Sequence, residues 1–332
     1  MSLLSVRDLR VEFATPDGVV KAVGGVSFEL NAGETLALVG ESGSGKSVSN
    51  LAYMGLLPMG KTTISGSVLL QTDEGHVELI GMSNDDLRKI RGKEIAMIFQ
   101  DPMSALHPYY SIGDQLIEAH QAHNEVAKSV SRARAVELLS LVGVANAEDR
   151  LSAYPHQFSG GMRQRVMIAM ALMNNPKVLI ADEPTTALDV TIQAQILKLL
   201  RDLQKQFQMA VILITHDLGV VAGAADRVNV MYGGRLVESA EVNELYENPM
   251  MPYTVGLLES IPRMDEAHGK RLRTITGQPP SLIKLGDGCA FAARCDRKSE
   301  LPTGKCDTSP ELKAVSAGHL VRCHLFESKG KS

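Results

Sequence analysis

The chain has 332 residues, room for one large domain and a smaller one, with 44% hydrophobic residues, 22% charged residues and a formal net charge of −4. That balance belongs to a globular protein and excludes a broad nucleic-acid-binding face, which needs clustered excess lysine and arginine. No apolar run approaches the roughly 18 residues of a membrane span, and residues 1–7 lack the basic-then-apolar pattern of a leader. The chain is therefore expected to stay in the cytoplasm and to meet a membrane only through a partner.

Residues 4–13 alternate as a strand does, Thr15-Pro16-Asp17-Gly18 carries turn chemistry, and 19–30 reads as a second strand before a turn at 31–34. Residues 35–39, Thr-Leu-Ala-Leu-Val, form a short apolar strand that runs into Gly40-Glu41-Ser42-Gly43-Ser44-Gly45-Lys46-Ser47. Helix-compatible sequence follows over 47–57, with Val48 near its start. Strand, glycine-rich loop and helix in that order suit a phosphate. The glycines let backbone N–H groups curl around phosphate oxygens, and the helix N-terminus adds its positive end. Lys46 then reaches the β- and γ-phosphates, and the Ser47 hydroxyl is placed to ligate Mg²⁺. A Gly/Ser turn that happens to hold a lysine is the plainer alternative, and the strand ahead of it argues against that.

Residues 66–70 and 77–80 suggest an antiparallel hairpin, Ser83 a helix cap, and 95–99 a buried strand ending at Gln100. From 111 to about 175 the pattern turns helical. Val136, Leu138, Leu139 and Val142 share one stripe, and Met162, Val166, Ala169 and Met173 follow at spacings of three and four. The methionines here read as core filler more readily than as a partner-binding surface. Apolar runs return at 178–181, 210–215 and 228–231 between helical stretches, the signature of a parallel sheet covered on both faces. Residues 262–288, rich in Pro, Gly and Lys, read as linker; 289–324 hold every cysteine; and 327–332 look frayed.

Three further features carry chemistry. The apolar run 178–181 ends in Asp182, suited to a Mg²⁺ shell, and Glu183, placed to polarise water attacking a γ-phosphate. Ser159, Gly160 and Gly161 open a helix and offer a second anion site through exposed N–H groups. His216 follows the run 210–215, from which it can donate a hydrogen bond to a γ-phosphate. Strand-end carboxylates and histidines are usually structural; it is the set that points to nucleotide hydrolysis.

Together these motifs resemble the ATP-binding subunits of ABC transporters, over residues 1 to roughly 260. The resemblance implies an α/β fold: a P-loop ABC-type nucleotide-binding domain, with a RecA-like core, an antiparallel β subdomain and a helical subdomain at about 101–175. It makes Phe13 the adenine-stacking aromatic, and residues 40–48 the nucleotide loop, with Glu41, Ser42, Gly43, Ser44 and Val48 in contact. Gln100 becomes a Mg²⁺ contact coupled to the permease, and residues 159–164, including Gln164, the signature. Asp182 and Glu183 become the metal and catalytic acids, Ala187-Leu188-Asp189 the D-loop, and His216 the switch. In such proteins one subunit's signature closes over another's phosphate loop. The resemblance therefore implies a dimer with the same or a paralogous chain, and two permease subunits at the cytoplasmic face of the membrane.

Residues 100–108, 154–159, 182–193 and 248–254 resemble the dipeptide/oligopeptide (peptide/nickel) importer branch, implying an extracellular peptide-binding protein as an indirect partner. The chain departs from that pattern at Leu106-His107-Pro108, usually Leu-Asn-Pro, and at Met251-Pro252-Tyr253, usually His-Pro-Tyr. Another substrate of the branch, such as nickel, and a non-transport ABC ATPase stand as alternatives. The latter usually carries a coiled-coil insertion, a second cassette or basic patches, and none is present in the sequence.

Cys289, Cys295, Cys306 and Cys323 are spaced C-x5-C-x10-C-x16-C. Four thiolates suit Zn²⁺ or an iron–sulfur cluster, and the lack of a short C-x2–4-C knuckle tilts toward the cluster. The segment also resembles the C-terminal extension of peptide-importer ATPases, which implies a 4Fe–4S cluster, with His324 as a candidate replacement ligand. The expected division is an ATPase domain over 1–261 and an extension over 262–332.

Overall fold

Two sheets of opposite character share the chain. The computed structural model describes residues 2–58, 60–186, 188–261, 274–283 and 285–327. The first sheet is antiparallel: β1 (Leu4–Thr15), β2 (Gly18–Leu30), β4 (Thr62–Thr72) and β5 (Gly75–Glu78), in the order β2-β1-β4-β5. The hairpin read at 66–70 and 77–80 is there, but it begins four residues earlier, runs closer to its turn on both strands and ends two residues sooner, at Glu78. β1 is buried at Leu4, Ser5 and Val6 and alternates exposed and buried over residues 8–11, as a strand with one wet face does.

The second sheet holds β3 (Thr35–Val39), β6 (Ile95–Ile98), β7 (Val178–Asp182), β8 (Ala210–Thr215) and β9 (Arg227–Tyr232), parallel to one another. Every residue of β3, β6, β7 and β8 is buried, which is why these segments read as unbroken apolar runs rather than alternating ones. β10 (Arg235–Glu241), β11 (Lys313–Ser316) and β12 (His319–Val321) extend the sheet antiparallel, giving the order β11-β12-β10-β9-β3-β8-β7-β6. The last two strands come from the cysteine segment, so that segment is built onto the edge of the same sheet.

The central strands serve two cores by alternation. Leu36 and Leu38 face a cluster shared with β1, β2, β4 and the helix Lys46–Tyr53, while Ala37 and Val39 face one shared with β9, Tyr253 and Phe291. A third cluster packs Ile98, Leu179, Ala181 and Leu213 against the helices Ile112–Gln121, Lys128–Leu141 and Gly160–Ala171. Met167 and Met173 are buried there with Met162 and Met170 packed alongside, as core filler should be.

The helix after the glycine-rich loop stops at Tyr53, four residues short of expectation, ahead of Gly55 and Pro58. Ser83 does cap the helix Asn84–Ile90, accepting a hydrogen bond from the Asp86 N–H. Residues 274–283 and 285–288 contain no regular element, in keeping with a linker, and 262–273 lie outside the described residues. Glu327 is not frayed: it pairs with Lys305 at 2.8 Å and with His324 at 2.6 Å. Residues 328–332 lie outside the described residues. None of the described helices is long and apolar enough to cross a membrane.

Candidate nucleotide site

The carboxyl ends of four parallel strands meet at one place. β3 delivers the glycine-rich loop, β7 delivers Asp182 and Glu183, β8 leads to His216, and β6 leads to Gln100. Ligands of open α/β sheets bind at that edge, because the loops there leave a crevice while the strands beneath stay rigid.

Two glycines have no substitute here. Gly40 sits at φ 149°, and a Cβ on it would fall 2.2 Å from the Met231 carbonyl oxygen. Gly45, at φ 99° before the helix, would place one 2.5 Å from the Ala22 carbonyl oxygen. The loop can thus press against the backbone of β9 and β2 only without side chains at those points. Lys46 lies beneath it, Nζ donating to the carbonyls of Gly40 at 2.7 Å and Glu41 at 3.1 Å. Burial lowers its pKa, while Glu183, Asp182 and Glu41 pull the other way and favour the charged form. Ser42 and Gly43 are exposed and Ser44 is buried. Val48 packs its side chain against the antiparallel-sheet core, so any nucleotide contact falls to its backbone N–H.

Ser47 Oγ donates to Asp182 Oδ1 at 2.9 Å across 135 positions of sequence. Burial raises the Asp182 pKa, the Ser47 bond opposes that, and Glu183 adds repulsion. Two adjacent carboxylates beside one lysine leave the site rich in negative charge. A hydroxyl, a carboxylate and that excess suit a divalent cation whose other positions go to phosphate and water. Ser47 and Asp182 are the residues that fit this role.

Glu183 has a backbone φ of 44°, rare for a residue with a side chain, and its N–H donates to the Ile214 carbonyl at 2.9 Å. The turn aims the carboxylate along the edge of the sheet. There Oε2 accepts from Gln100 Nε2 at 2.9 Å and from Thr186 Oγ1 at 2.9 Å, and Oε1 lies 3.1 Å from His216 Nδ1. Burial alone would raise the Glu183 pKa, but the bonds from His216 and Thr186 and the charge on Lys46 outweigh it and hold it below the ordinary value. A carboxylate kept ionised beside a phosphate-binding loop can orient and polarise water. Gln100, expected as a metal contact, is brought to this edge with its Nε2 on Glu183.

Other expected residues lie elsewhere. Phe13 is on β1, opposite Val20 and Thr62, half-buried against the antiparallel-sheet core. Ser159 caps the helix Gly160–Ala171 and leaves Gly160 exposed beside Leu188, with Gly161 against Ile192. Gln164 is only 2% exposed and its Nε2 has no partner, so the helix turns it into the core rather than toward a nucleotide. Asp189 caps the helix Val190–Phe207, accepting from the N–H groups of Thr191 and Ile192. Ala187 lies outside the described residues. Sequence reasoning missed Thr186 and Tyr253, although both fall in stretches it singled out. It also missed Arg294, which stands beside Cys295.

All four cysteines are free thiols. Burial raises the pKa of Cys289 and Cys295 and pushes Cys323 up to about 11, and each of these feels the charge of other cysteines in the set. Backbone N–H groups of Phe291 and Ala292 favour the Cys289 thiolate, that of Arg297 the Cys295 thiolate, and that of Leu325 the Cys323 thiolate. Among the described residues, however, no group of three or more His, Cys, Asp or Glu is arranged to hold a metal ion. The expected four-cysteine centre is therefore not formed as a ligand set in this structure. His324 is corrected as a ligand, because Nδ1 pairs with Glu327 and Nε2 lies 2.9 Å from the Thr308 carbonyl.

Comparison with known proteins agrees with this geometry. A family model described as ABC transporter matches residues 23–186, and one described as oligopeptide/dipeptide transporter, C-terminal region, matches residues 237–301. The oligopeptide transport ATP-binding protein OppD of Haemophilus influenzae is 49% identical over 327 residues, covering 98% of each chain. The dipeptide transport ATP-binding protein DppD of Bacillus subtilis is 49% identical over 330 residues, covering 99% of this chain and 96% of its own. Among solved structures, a dimeric post-hydrolysis state of the ATP-binding cassette MJ0796 bound to ADP and Pi superposes with a TM-score of 0.63 at 26% identity. It covers 72% of this chain and 98% of that one.

Proposed function

The chain belongs to the oligopeptide and dipeptide transport ATP-binding proteins of ABC transporters, and from that premise we propose that it hydrolyses ATP to power peptide import through a membrane permease. The observation that carries the chemistry is Glu183, held ionised by His216, Thr186 and Lys46 next to the Ser47–Asp182 pair. Lys46 and the loop N–H groups bind the β- and γ-phosphates, Ser47 and Asp182 hold Mg²⁺, and Glu183 orients the attacking water. His216 steadies Glu183 and donates to the γ-phosphate, and Phe13 stacks on adenine. Mg²⁺ supplies neutralisation of charge on the phosphates.

Ser159, Gly160 and Gly161 lie on the helical side of the molecule, at the start of a helix rather than on the strand edge that holds Lys46. An exposed anion-binding helix start with no phosphate loop of its own suits a second subunit's nucleotide, as does the dimeric state of the MJ0796 cassette. We therefore place two nucleotides between two chains, the same or paralogous, docked peripherally on two permease subunits at the cytoplasmic face. An extracellular peptide-binding protein would deliver cargo. Leu188, beside Gly160, and the adjoining Asp189 belong to that dimer face.

We assign residues 1–261 to the ATPase domain and 262–332 to the extension. At the cysteines we propose a 4Fe–4S cluster, with zinc as the alternative, on the strength of four cysteines without a short C-x2–4-C knuckle and of thiols that feel one another's charge and accept backbone N–H groups. The cluster would supply structural cross-linking. Co-purification tests the main reading: the chain should bring down a multi-span membrane protein, and the complex should hydrolyse ATP faster when loaded with peptide-bound receptor. ATPase activity with no membrane partner would favour a non-transport role instead.

A further inference from the structure

Glu41, the second residue of the phosphate loop, is gripped from outside the loop at two points. Its carboxylate accepts Arg294 Nη1 at 2.6 Å and Nη2 at 3.0 Å, across 253 positions of sequence. Its backbone N–H donates to Tyr253 Oη at 2.8 Å. Arg294 is fixed in turn: Nε donates to the Thr276 carbonyl at 3.0 Å and Nη1 to Tyr232 Oη at 3.2 Å. The guanidinium lies 5.8 Å from the Tyr232 ring centre and 6.0 Å from that of Phe291. Tyr232, Tyr253 and Phe291 pack on one another with centroids 4.5–5.4 Å apart, an aromatic wall behind the loop. The Arg294 side chain is 5% exposed, so this bidentate, charge-assisted pair is poorly screened by solvent.

The loop's working parts hang from the gripped residue. The Glu41 carbonyl accepts from the Ser44 N–H at 3.2 Å and from Lys46 Nζ at 3.1 Å, and the adjoining Gly40 carbonyl accepts Lys46 Nζ at 2.7 Å. We infer that Arg294, from the cysteine-bearing extension, is a positioning residue of the nucleotide site: it clamps Glu41 and so holds the phosphate loop and Lys46 in the shape that receives ATP. The inference rests on the loop being the nucleotide site. A glycine-rich loop without such a clamp samples many conformations and loses affinity by the fraction of time spent out of shape. The extension would thus tune ATP affinity without touching the nucleotide.

The test uses the full-length chain, titrated with the fluorescent analogue trinitrophenyl-ATP and assayed for hydrolysis across ATP concentrations. Arg294→Met should weaken binding about tenfold and raise KM alike, with kcat within about twofold, because Glu183 and His216 are untouched. Arg294→Lys should recover part of the loss. Glu41→Gln should also weaken binding, and the double variant E41Q/R294M should be no weaker than the poorer single, since both remove one contact. Wild-type affinity in R294M, or losses that add in the double variant, would overturn the clamp. If R294M does not fold, E41Q and R294K carry the test, and unchanged affinity in both overturns it. A wild-type chain that fails to bind the analogue overturns the nucleotide reading and the clamp with it.

Discussion

Glu183 Oε1 stands 3.1 Å from His216 Nδ1, joining the tips of two neighbouring parallel strands. Neither residue needs a long loop to reach the other, because β7 and β8 are held in register from Val178 opposite Ala210 to Asp182 opposite Ile214. The rigid sheet does the positioning, and the left-handed turn at Glu183 does the aiming.

Glu183→Gln is expected to keep ATP binding and to slow hydrolysis by about two to four orders of magnitude, the range of a positioned general base. The amide keeps the shape and loses the negative charge that orients water, so the loss falls on kcat. Single-turnover hydrolysis in the assembled transporter, with bound nucleotide measured in parallel, checks both halves. Near-normal turnover would remove Glu183 from the role.

Lys46→Ala, by contrast, should act on binding. Removing a buried cation whose partners are the loop carbonyls and the phosphates should weaken ATP affinity roughly 10- to 100-fold, from the worth of hydrogen bonds to charged groups. Equilibrium titration measures this directly, and unchanged affinity would count against the loop as the phosphate site.

The strands that carry this chemistry were legible because they are buried on both faces. Residues 35–39 and 210–215 read as apolar runs and are β3 and β8 with those same bounds. The edge of the sheet was not legible. β10 carries Glu238 and Ser239 in a fully buried stretch, a composition that argues against a core strand until His319 is seen beside Glu238. β11 and β12 are short and polar, and they exist as strands through pairing, β12 with β10 and β11 with β12, rather than through their own pattern. The Arg294–Glu41 contact was invisible for the same reason: nothing local in either stretch points to a partner 253 residues away. The burial of Gln164 was not legible either, since a motif position says nothing of which way a helix turns its side chain.

His319 and Glu238 are expected to make the extension's docking pH-dependent. The pair is 2.8 Å apart with both side chains essentially unexposed, and His319 also lies 3.3 Å from Glu244. The bond to Glu238 raises the His319 pKa above 6.5 against the opposing effect of burial. A raised folded-state value means that the folded state holds the proton more tightly. Its stabilisation is therefore complete below 6.5 and fades as pH rises through the raised value. Thermal unfolding followed from mildly acidic to alkaline pH should show this loss, and His319→Gln should flatten the curve. The substitution should also cost about 3 kcal/mol at acidic pH by leaving Glu238 buried without its charge partner. A wild-type curve parallel to that of the variant would sink the assignment.

The cysteines yield the last expectation. If Cys289, Cys295, Cys306 and Cys323 hold a 4Fe–4S cluster, protein purified without oxygen should be brown and carry about four irons per chain, with zinc near absent. The opposite metal content would establish the zinc alternative. Cys306→Ser should lower iron content and open residues 289–327 to protease, because metal binding in such segments supplies folding energy. The Cys289 N–H donates to the Cys306 carbonyl at 2.9 Å, so the two halves of the segment are already pinned where the change would act. ATP binding should not collapse, since the strand beneath the phosphate loop has its own apolar core. It should nevertheless weaken several-fold, no more than in R294M, because loosening the segment loosens Arg294 and releases Glu41. Combining Cys306→Ser with Arg294→Met separates the routes: if the extension acts through the clamp, the pair binds ATP no worse than R294M alone. Additive losses would mean that the cysteine segment supports the nucleotide site by some path other than Arg294.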